Sequence, residues 1–211
     1  SPRDEFAKGN FILNTTIPLD QILANMHSKQ RYNIKLAQKK QVQVRPSSND
    51  DLDIFYDLYK QTAQRQGYFY RSKSYFEGIK KHLKKKVYFL IVQYQNTPLA
   101  SWMLFLHQDV LYYPYGGSST LHKNLQPNAL IGFEAIKFAI KNKCEYFDMW
   151  GASYDLEDKK DPYYGFTDFK RKFGGDHVQY IDSYDLIINP FYYYLFNFAN
   201  DLRWKLLKFL R

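Results

Sequence analysis

The sequence has a single cysteine, Cys144, among 211 residues. One cysteine can form neither an intrachain disulfide nor a Cys-x-x-Cys zinc site. The five histidines are widely separated, and none lies in an HxxxH pair or beside a second ligand, so no metal site is expected. Two motifs of other enzyme classes are also absent, the phosphate-binding GxxxxGK[ST] loop and the GxSxG nucleophile motif.

Long apolar runs are missing as well. No stretch approaches the roughly 20 apolar residues that a membrane-spanning helix needs. The opening SPRDEFAKGN lacks the apolar segment that follows the basic start of a signal peptide. These absences predict a cytoplasmic protein. A hydrophobic content of 45% with 24% charged residues excludes a disordered chain, and 211 residues suffice for one domain with an appendage.

Acidic residues are sparse in parts of the chain, whose net charge is +9. Residues 21–49 contain none, and basic clusters follow at 79–86 and near the C-terminus. Concentrated positive charge attracts nucleic acid or an anionic membrane surface. A solvated basic helix face explains each cluster equally well.

Hydrophobic periodicity predicts helices and strands that interleave along the chain. Helices are predicted over residues 19–40, 49–65 (capped by Ser48 or Asn49), 72–85, 127–143, 167–175 and 190–211. Strands are predicted over residues 10–17, 42–44, 86–94, 98–107, 110–117 (ending at two glycines), 146–151 and 177–189. This order predicts an α/β fold with one mixed sheet covered by helices. Residues 1–189 would form the domain, and 190–211 a C-terminal amphipathic helix.

A hairpin, a third strand and then a helix follow one another between residues 86 and 143, as in acetyl-CoA-dependent N-acetyltransferases of the GNAT fold. Those enzymes bind the coenzyme's pyrophosphate with N–H groups of a Q/R-x-x-G-x-G/A turn. Here residues 116–132 read GGSSTLHKNLQPNALIG and lack the basic residue and the glycines in register. We therefore predict a GNAT-like fold without the coenzyme loop, and keep a CoA-dependent N-acyltransferase as an alternative.

Six strings along the chain carry a resemblance. They are KQRYNIKLAQKK (29–40), GYFYRSKSYF (67–76), LYYPYGGSS (111–119), YFDMWGAS (146–153), GFTDFKRKFGG (165–175) and YDLIINPFYYYLF (184–196). Together and in this order they resemble the Fem family, the aminoacyl-tRNA-dependent transferases that build the interpeptide bridge of peptidoglycan.

The resemblance implies a particular place in a two-domain architecture. The chain is similar to the second of two acetyltransferase-like domains, followed by the C-terminal helix that returns to pack on the first. An N-terminal domain, and part of the acceptor cleft, would then be missing from this sequence. Without that domain, the apolar face and basic residues of 190–211 would suit the inner face of a membrane, as a peripheral association.

The reaction implied by the resemblance is aminolysis of an ester. The stem-peptide amine of a UDP-linked or lipid-linked muramyl-pentapeptide attacks the carbonyl that joins an amino acid to its tRNA. Because the ester is already activated, no cofactor is expected beyond the aminoacyl-tRNA co-substrate. The site needs alignment of the two substrates and donors near the developing oxyanion.

The family's acceptor-site arginine and tyrosine match Arg71 and Tyr75, and a further family tyrosine matches Tyr115. A guanidinium can bind a diphosphate or carboxylate through two parallel hydrogen bonds. The structural alternatives are a surface ion pair for Arg71 and ordinary aromatic packing for the two tyrosines.

The family's catalytic-side aromatic and lysine match Phe169 and Lys170. Lys170 would stabilise the oxyanion or bind acceptor-stem phosphates, and Phe169 would stack on the terminal adenine or a ribose. No general base is assigned: Asp148 and Asp168 lie near the site strings, but capping explains Asp168 at least as well as catalysis does. The basic residues expected to bind tRNA are Lys29, Arg31, Lys35 and Arg171. A solvated helix end, or a non-catalytic module that binds tRNA or anionic lipid, remains the alternative.

Overall fold

The computed structural model describes residues 7–45 and 51–209. The described residues form two compact units, residues 7–180 and 181–209. The second unit therefore includes residues 181–189, which the sequence pattern assigns to the first. The predicted cap at Ser48 or Asn49 lies outside the described residues.

Seven strands of the first unit form one sheet in the order β2-β3-β4-β5-β6-β1-β7. Their bounds are β1 Gly9–Asn14, β2 Gln43–Arg45, β3 Val87–Tyr94, β4 Thr97–His107, β5 Val110–Ser118, β6 Tyr146–Ala152 and β7 Asp176–Gln179. All neighbouring strands are antiparallel except β5 and β6, which are parallel. The mixed α/β fold predicted from the sequence is confirmed.

Six helices belong to the first unit and one to the second, within the described residues. Their bounds are α1 Leu19–Asn25, α2 Ser28–Lys39, α3 Asp51–Gln66, α4 Lys73–Leu83, α5 Pro127–Lys141, α6 Tyr164–Arg171 and α7 Pro190–Phe209. Helix α5 begins at Pro127, where the missing N–H costs nothing because the first helical N–H groups have no partner. None of the described helices is both long and apolar enough to cross a membrane.

Alternate side chains of the strands pack against two separate layers of helices, one on each face of the sheet. One core joins α1, α2 and α5 to the sheet face that carries Trp102 and Leu104. The smaller core joins α3 and α4 to the opposite face through Met103, Phe55 and Phe76. Since adjacent strand residues point to opposite faces, β4 contributes to both layers.

The two central parallel strands pair only at their beginnings. The β5–β6 register runs from Val110 opposite Tyr146 to Tyr112 opposite Asp148, yet β5 continues to Ser118 and β6 to Ala152. A gap therefore opens between them towards their carboxyl ends. The hairpin of β3 and β4, then β5, then α5 follow one another in the order predicted for a GNAT-like fold.

A bulge in β5 lies at the start of this gap. Met103 pairs with Tyr115 whereas Phe105 pairs with Tyr112, so Tyr113 and Pro114 together face a single residue of β4. The extra residue reverses the alternation of the strand. Tyr113 consequently stacks on Trp102, with ring centroids 3.6 Å apart, while Tyr115 packs against the other core.

The predicted helix over residues 19–40 is interrupted. Helix α1 ends at Asn25, Met26 is extended, and the His27 side chain caps α2 by accepting a hydrogen bond from the N–H of Lys29 at 3.1 Å. A histidine N-cap carries no strong sequence signal, which is why the periodicity of one continuous apolar stripe was misleading.

The predicted strand over residues 177–189 was also wrong in extent. Strand β7 pairs only with β1, from Ile12 opposite Asp176 to Gly9 opposite Gln179. One further bond joins the N–H of Tyr180 to the carbonyl of Lys8. Strand β7 thus ends at Gln179, although the alternating apolar pattern of the sequence continues to residue 189.

The two glycines predicted to end β5 lie inside it and are needed for close packing. A Cβ atom at Gly117 would lie 2.3 Å from the backbone carbon of Leu58 and the nitrogen of Tyr59 in α3. At Gly116 it would lie 2.3 Å from the Tyr113 hydroxyl. Helix α3 can therefore rest directly on the backbone of β5.

We expect Gly117→Ala to destabilise the fold by about 2 kcal/mol, because neither α3 nor β5 can move away without disturbing the core. Gly78→Ala is the matched control: it lies in the middle of α4, and a Cβ atom added there would have nothing within 4 Å. That substitution should stabilise by about 0.5–1 kcal/mol through helix propensity. Urea unfolding midpoints measure both, and equal effects would contradict the packing interpretation.

Candidate active site

Lys170 is buried in the gap between β5 and β6. It lies in the last turn of α6, and only 7% of its surface is exposed. Its Nζ donates hydrogen bonds to the carbonyls of Gly151 at 2.7 Å and Trp150 at 3.2 Å. The rings of Phe166 and Tyr113 lie 4.9 Å and 5.8 Å from the same nitrogen. The sequence alternative of a solvated helix end is therefore wrong for Lys170.

This environment shifts the proton affinity of the amine. Burial lowers the pKa of Lys170 to about 7, because the charged form loses its hydration, and the charge of Asp148 opposes the shift. Near neutral pH the amine is thus divided between its charged and neutral forms. A group with that property can donate or accept a proton without a large energetic cost.

The carbonyls that bind Lys170 are fixed by a short, irregular stretch of β6. Trp150 has a positive φ of 61°, in the left-handed region that a non-glycine residue seldom adopts. Its N–H donates to Asp148 Oδ1 at 2.7 Å, and the side-chain amide of Asn10 donates to the same oxygen at 2.8 Å. Asp148 therefore holds the turn that presents the Trp150 and Gly151 carbonyls.

Phe169 lies beside Lys170 in sequence but on the core side of α6. Its half-buried ring packs edge-on against Trp102 and Phe173, with centroid distances of 6.3 Å and 5.2 Å. These contacts give Phe169 a packing role that orients α6. Its predicted stacking on a nucleotide stays a prediction.

Arg71, Tyr75 and Tyr115 come together on the opposite face of β5. The hydroxyls of Tyr75 and Tyr115 are hydrogen-bonded at 2.9 Å, and the Arg71 guanidinium carbon lies 5.3 Å from the centre of the Tyr75 ring. Ser72 caps α4 by accepting from the N–H of Tyr75, which fixes the start of the helix between Arg71 and Tyr75. The backbone N–H of Arg71 donates to the hydroxyl of Tyr59 at 3.3 Å.

The environment of Tyr115 keeps its hydroxyl protonated. Burial raises the pKa of Tyr115 well above its usual range, and the hydrogen bond with Tyr75 adds to the shift. The phenol therefore remains a hydrogen-bond donor or acceptor and does not become a charge. Arg71 is exposed beside it and supplies the positive charge of this group.

The basic residues predicted to bind tRNA have different surroundings. Lys29 and Lys35 are exposed on α2. The Arg31 guanidinium instead donates to the carbonyls of Leu23 and Ala24 at the end of α1 and of Met26 just after it. Arg171 pairs with Glu157 at 3.1 Å and with Asp168 at 3.5 Å. Arg31 and Arg171 thus have intramolecular partners, and the tRNA role of all four stays a prediction.

Two site features escaped the sequence interpretation. Tyr113 is one of 20 tyrosines, and only the bulge, which has no sequence signature, places it under Lys170. The Asp148 network depends on pairing between β1 and β6, which are more than a hundred residues apart. Among the described residues no three His, Cys, Asp or Glu side chains form a group that could hold a metal ion.

A profile of the FemAB family matches residues 10–96 and 92–201. The chain belongs to the FemAB family. The family expectation drawn from the six sequence strings is thereby confirmed.

Curated relatives of this FemAB chain include lipid II:glycine glycyltransferases of staphylococci. The enzyme of Staphylococcus epidermidis is 23% identical over 239 residues, covering 83% of this chain and 57% of the relative. That of Staphylococcus haemolyticus is 30% identical over 95 residues, covering 44% of this chain and 22% of the relative. The chain thus spans little more than half the length of the Staphylococcus epidermidis enzyme.

Solved structures confirm the fold. FemX superimposes with a TM-score of 0.78 at 19% identity, covering 86% of this chain and 62% of FemX. L-PGS from Bacillus licheniformis superimposes with a TM-score of 0.54 at 10% identity, covering 88% of this chain and 63% of that one. The likeness to FemX extends over most of the FemAB chain.

The buried amine predicts a specific pH dependence of stability. Between pH 7 and 10.5 the folded chain holds Lys170 neutral whereas the unfolded chain protonates it, so the free energy of unfolding should rise with pH. The expected slope is at most about 1.4 kcal/mol per pH unit. Urea unfolding across this range should show the slope diminished in Lys170→Met and retained in Lys172→Met. Equal slopes in the two variants would contradict the buried amine.

Proposed function

We propose that this chain is an aminoacyltransferase that moves an amino acid from aminoacyl-tRNA to the stem-peptide amine of a lipid-linked muramyl-pentapeptide. The observation that carries the proposal is the Lys170 amine in the gap between β5 and β6, with the Arg71, Tyr75 and Tyr115 group on the opposite face of β5. Substrates bound at these two groups would meet at the gap. The name of the relatives, lipid II:glycine glycyltransferase, supports a lipid-linked acceptor and the transfer of an aminoacyl group.

The proposed reaction needs no cofactor beyond the aminoacyl-tRNA and the acceptor. The lone pair of the acceptor amine forms a C–N bond with the ester carbonyl carbon, and the carbonyl oxygen becomes negatively charged. When the C–O bond to the ribose breaks, the ribose oxygen takes up a proton equivalent to the one that the amine loses. Alignment of the amine with the carbonyl and stabilisation of the oxyanion supply the rate enhancement.

Lys170 would serve this reaction in two ways, as a donor to the oxyanion and as an acceptor of a proton. Two of its N–H groups are directed to the Trp150 and Gly151 carbonyls, which leaves one tetrahedral position on Nζ for substrate. In the charged form that position is an N–H that can stabilise the oxyanion. In the neutral form it is a lone pair that can accept the proton of the attacking amine.

The Arg71, Tyr75 and Tyr115 group suits the anionic part of the acceptor. An exposed guanidinium can hold a diphosphate or a peptide carboxylate through two parallel bonds. The hydrogen-bonded tyrosine pair adds a neutral hydroxyl beside that charge. Exposed aromatic residues Phe69 and Tyr70 precede Arg71 and extend the apolar border of this surface.

A membrane-associated acceptor would also explain why the second unit exposes aromatic side chains. Helix α7 exposes Phe191, Tyr192, Tyr194, Phe198 and Trp204. Exposed aromatic residues on a helix that also carries basic residues suit the interface of an anionic membrane. Packing on a preceding domain, as the family resemblance implies, would cover the same residues.

CoA-dependent acyl transfer has less support. The helix that would bind the coenzyme begins with Pro127, which has no N–H, and is preceded by Gln126 in a left-handed conformation. Gly132 lies inside α5 against the ring of Phe173, not in a phosphate-binding turn. The gap itself contains the Lys170 side chain.

The first functional prediction concerns Lys170. Lys170→Ala should lower transfer of a radiolabelled amino acid from charged tRNA to a lipid-linked acceptor by about 100-fold, since it removes the donor at the oxyanion. The matched control is Lys172→Ala. Lys172 lies two residues from Lys170 and pairs with Asp168, so its removal should leave the rate unchanged. Undiminished transfer by Lys170→Ala would refute the assigned role.

The second concerns acceptor recognition. Arg71→Ala should weaken binding of a short-chain lipid II analogue by about tenfold or more, and Arg71→Lys should recover only part of the loss, because an ammonium lacks the paired geometry. Lys73→Ala, two residues away and paired with Asp53, is the control that should bind normally. Fluorescence titration measures these affinities. Tighter binding of a UDP-linked pentapeptide would overturn the lipid-linked assignment.

A further inference from the structure

Within the described residues of the first unit, helices α3 and α4 cover the β3–β5 part of one sheet face. On the continuation of the same face, β6 and the residue after β7 expose the aromatic side chains of Tyr146, Trp150 and Tyr180, each more than two-fifths exposed. We call this surface, with Tyr112 and Asp148, the aromatic shelf. It begins where β5 and β6 separate, beside the group that contains Tyr115.

A carboxylate lies in the middle of the aromatic shelf with one oxygen unused. Asp148 Oδ1 accepts the two hydrogen bonds from Trp150 N–H and the Asn10 amide. Oδ2 has no hydrogen-bond partner among the described residues and is not fully buried. The structural task of holding the β6 turn is thus performed by one oxygen, and the other is left for a ligand.

Aromatic rings surround this carboxylate. Tyr112 lies directly opposite Asp148 in the parallel register, and its ring meets that of Trp150 edge-on at a centroid distance of 6.0 Å. The Tyr180 hydroxyl accepts a second bond from the Asn10 amide at 3.2 Å. Burial and the neighbouring charge of Asp148 raise the pKa of Tyr112, which therefore stays neutral. A carboxylate among neutral aromatic faces is the environment that binds an organic ammonium group.

We propose that Asp148, with Tyr112, Trp150 and Tyr180, binds the α-ammonium group of the amino acid that is being transferred. This inference rests on the proposed function and adds to it the recognition of the donor's amino acid. The α-ammonium is attached to the carbon next to the ester carbonyl, so its position determines where the carbonyl points. Residues 148–151 of β6 would then help to position both ends of the aminoacyl group. Asp148 would bind the ammonium, and Lys170, held by the Trp150 and Gly151 carbonyls, would bind the ester carbonyl.

The attacking amine is a poorer occupant of the aromatic shelf. It must be uncharged to form the new bond, whereas an ionised carboxylate favours a charged ammonium. The α-ammonium of the donor does not react and can stay charged throughout. The acceptor also has a separate candidate surface at Arg71, Tyr75 and Tyr115.

The test uses 3′-deoxy-3′-(glycylamino)adenosine, whose amide replaces the labile ester, and its N-acetyl derivative, which has no charge on the amino group. Binding to the chain is followed by the indole N–H signal of Trp150 in ¹H–¹⁵N spectra. We expect the first compound to shift this signal and to bind at least about tenfold more tightly than the N-acetyl compound, since a charge-assisted contact is lost on acetylation. Equal affinities would overturn the inference.

Two variants locate the effect. Asp148→Asn keeps an oxygen for the two N–H donors but removes the charge, and should weaken binding of the glycyl compound by about tenfold. Asp109→Asn removes a nearby carboxylate outside the aromatic shelf and should leave that affinity unchanged. Wild-type affinity in Asp148→Asn would overturn the assignment even if the N-acetyl compound bound weakly.

The outcomes separate this inference from the proposed function. If the glycyl compound binds through Asp148 but no acceptor is aminoacylated, the ammonium site stands and the proposed function fails. If transfer requires Lys170 but Asp148→Asn leaves the KM for aminoacyl-tRNA unchanged, the proposed function stands and the ammonium site fails.

Discussion

The separation of β5 from β6 is the constraint on which the rest of the site depends. Inside a sheet, strand carbonyls are normally bound by the neighbouring strand, and buried carbonyls without a donor are costly. Here the Trp150 and Gly151 carbonyls accept hydrogen bonds from the Lys170 amine instead. The lysine can enter because the strands part after Tyr112 and Asp148. Continued pairing would remove both the space for the amine and the acceptors that hold it.

The bulge in β5 determines which side chains lie on each side of this separation. By inserting one residue, it directs Tyr113 to the Lys170 side of the sheet and Tyr115 to the side of Arg71 and Tyr75. Gly116 and Gly117 then leave space for the Tyr113 ring on one face of the strand and for helix α3 on the other. A short strand segment thereby organises two different surfaces, and a change in its register would disturb both together.

Local signals in the sequence were sufficient for most of the fold and part of the site. The hairpin of β3 and β4, helix α3 and the proline start of α5 follow from spacing and composition, and the structure has them as predicted. The proximity of Arg71 and Tyr75 follows from their separation along the chain at a helix start. The tertiary partners do not follow, because they depend on register. The carbonyl contacts of Arg31, the network of Asp148 and the early end of β7 are each set by a strand or helix end distant in sequence or invisible to periodicity.

The enclosure of Lys170 has a consequence for how salt would act on the proposed transfer. Dissolved ions screen exposed charges beyond a Debye length of roughly 8–10 Å, but they hardly weaken interactions from which water is excluded. The Lys170 amine meets carbonyls and aromatic faces in such a place, whereas Lys29 and Lys35 face the solution. In the proposed transfer, a higher ionic strength should weaken the binding of a polyanion and leave the bond-forming step nearly unchanged, so the two stages would respond to the same solvent in different ways.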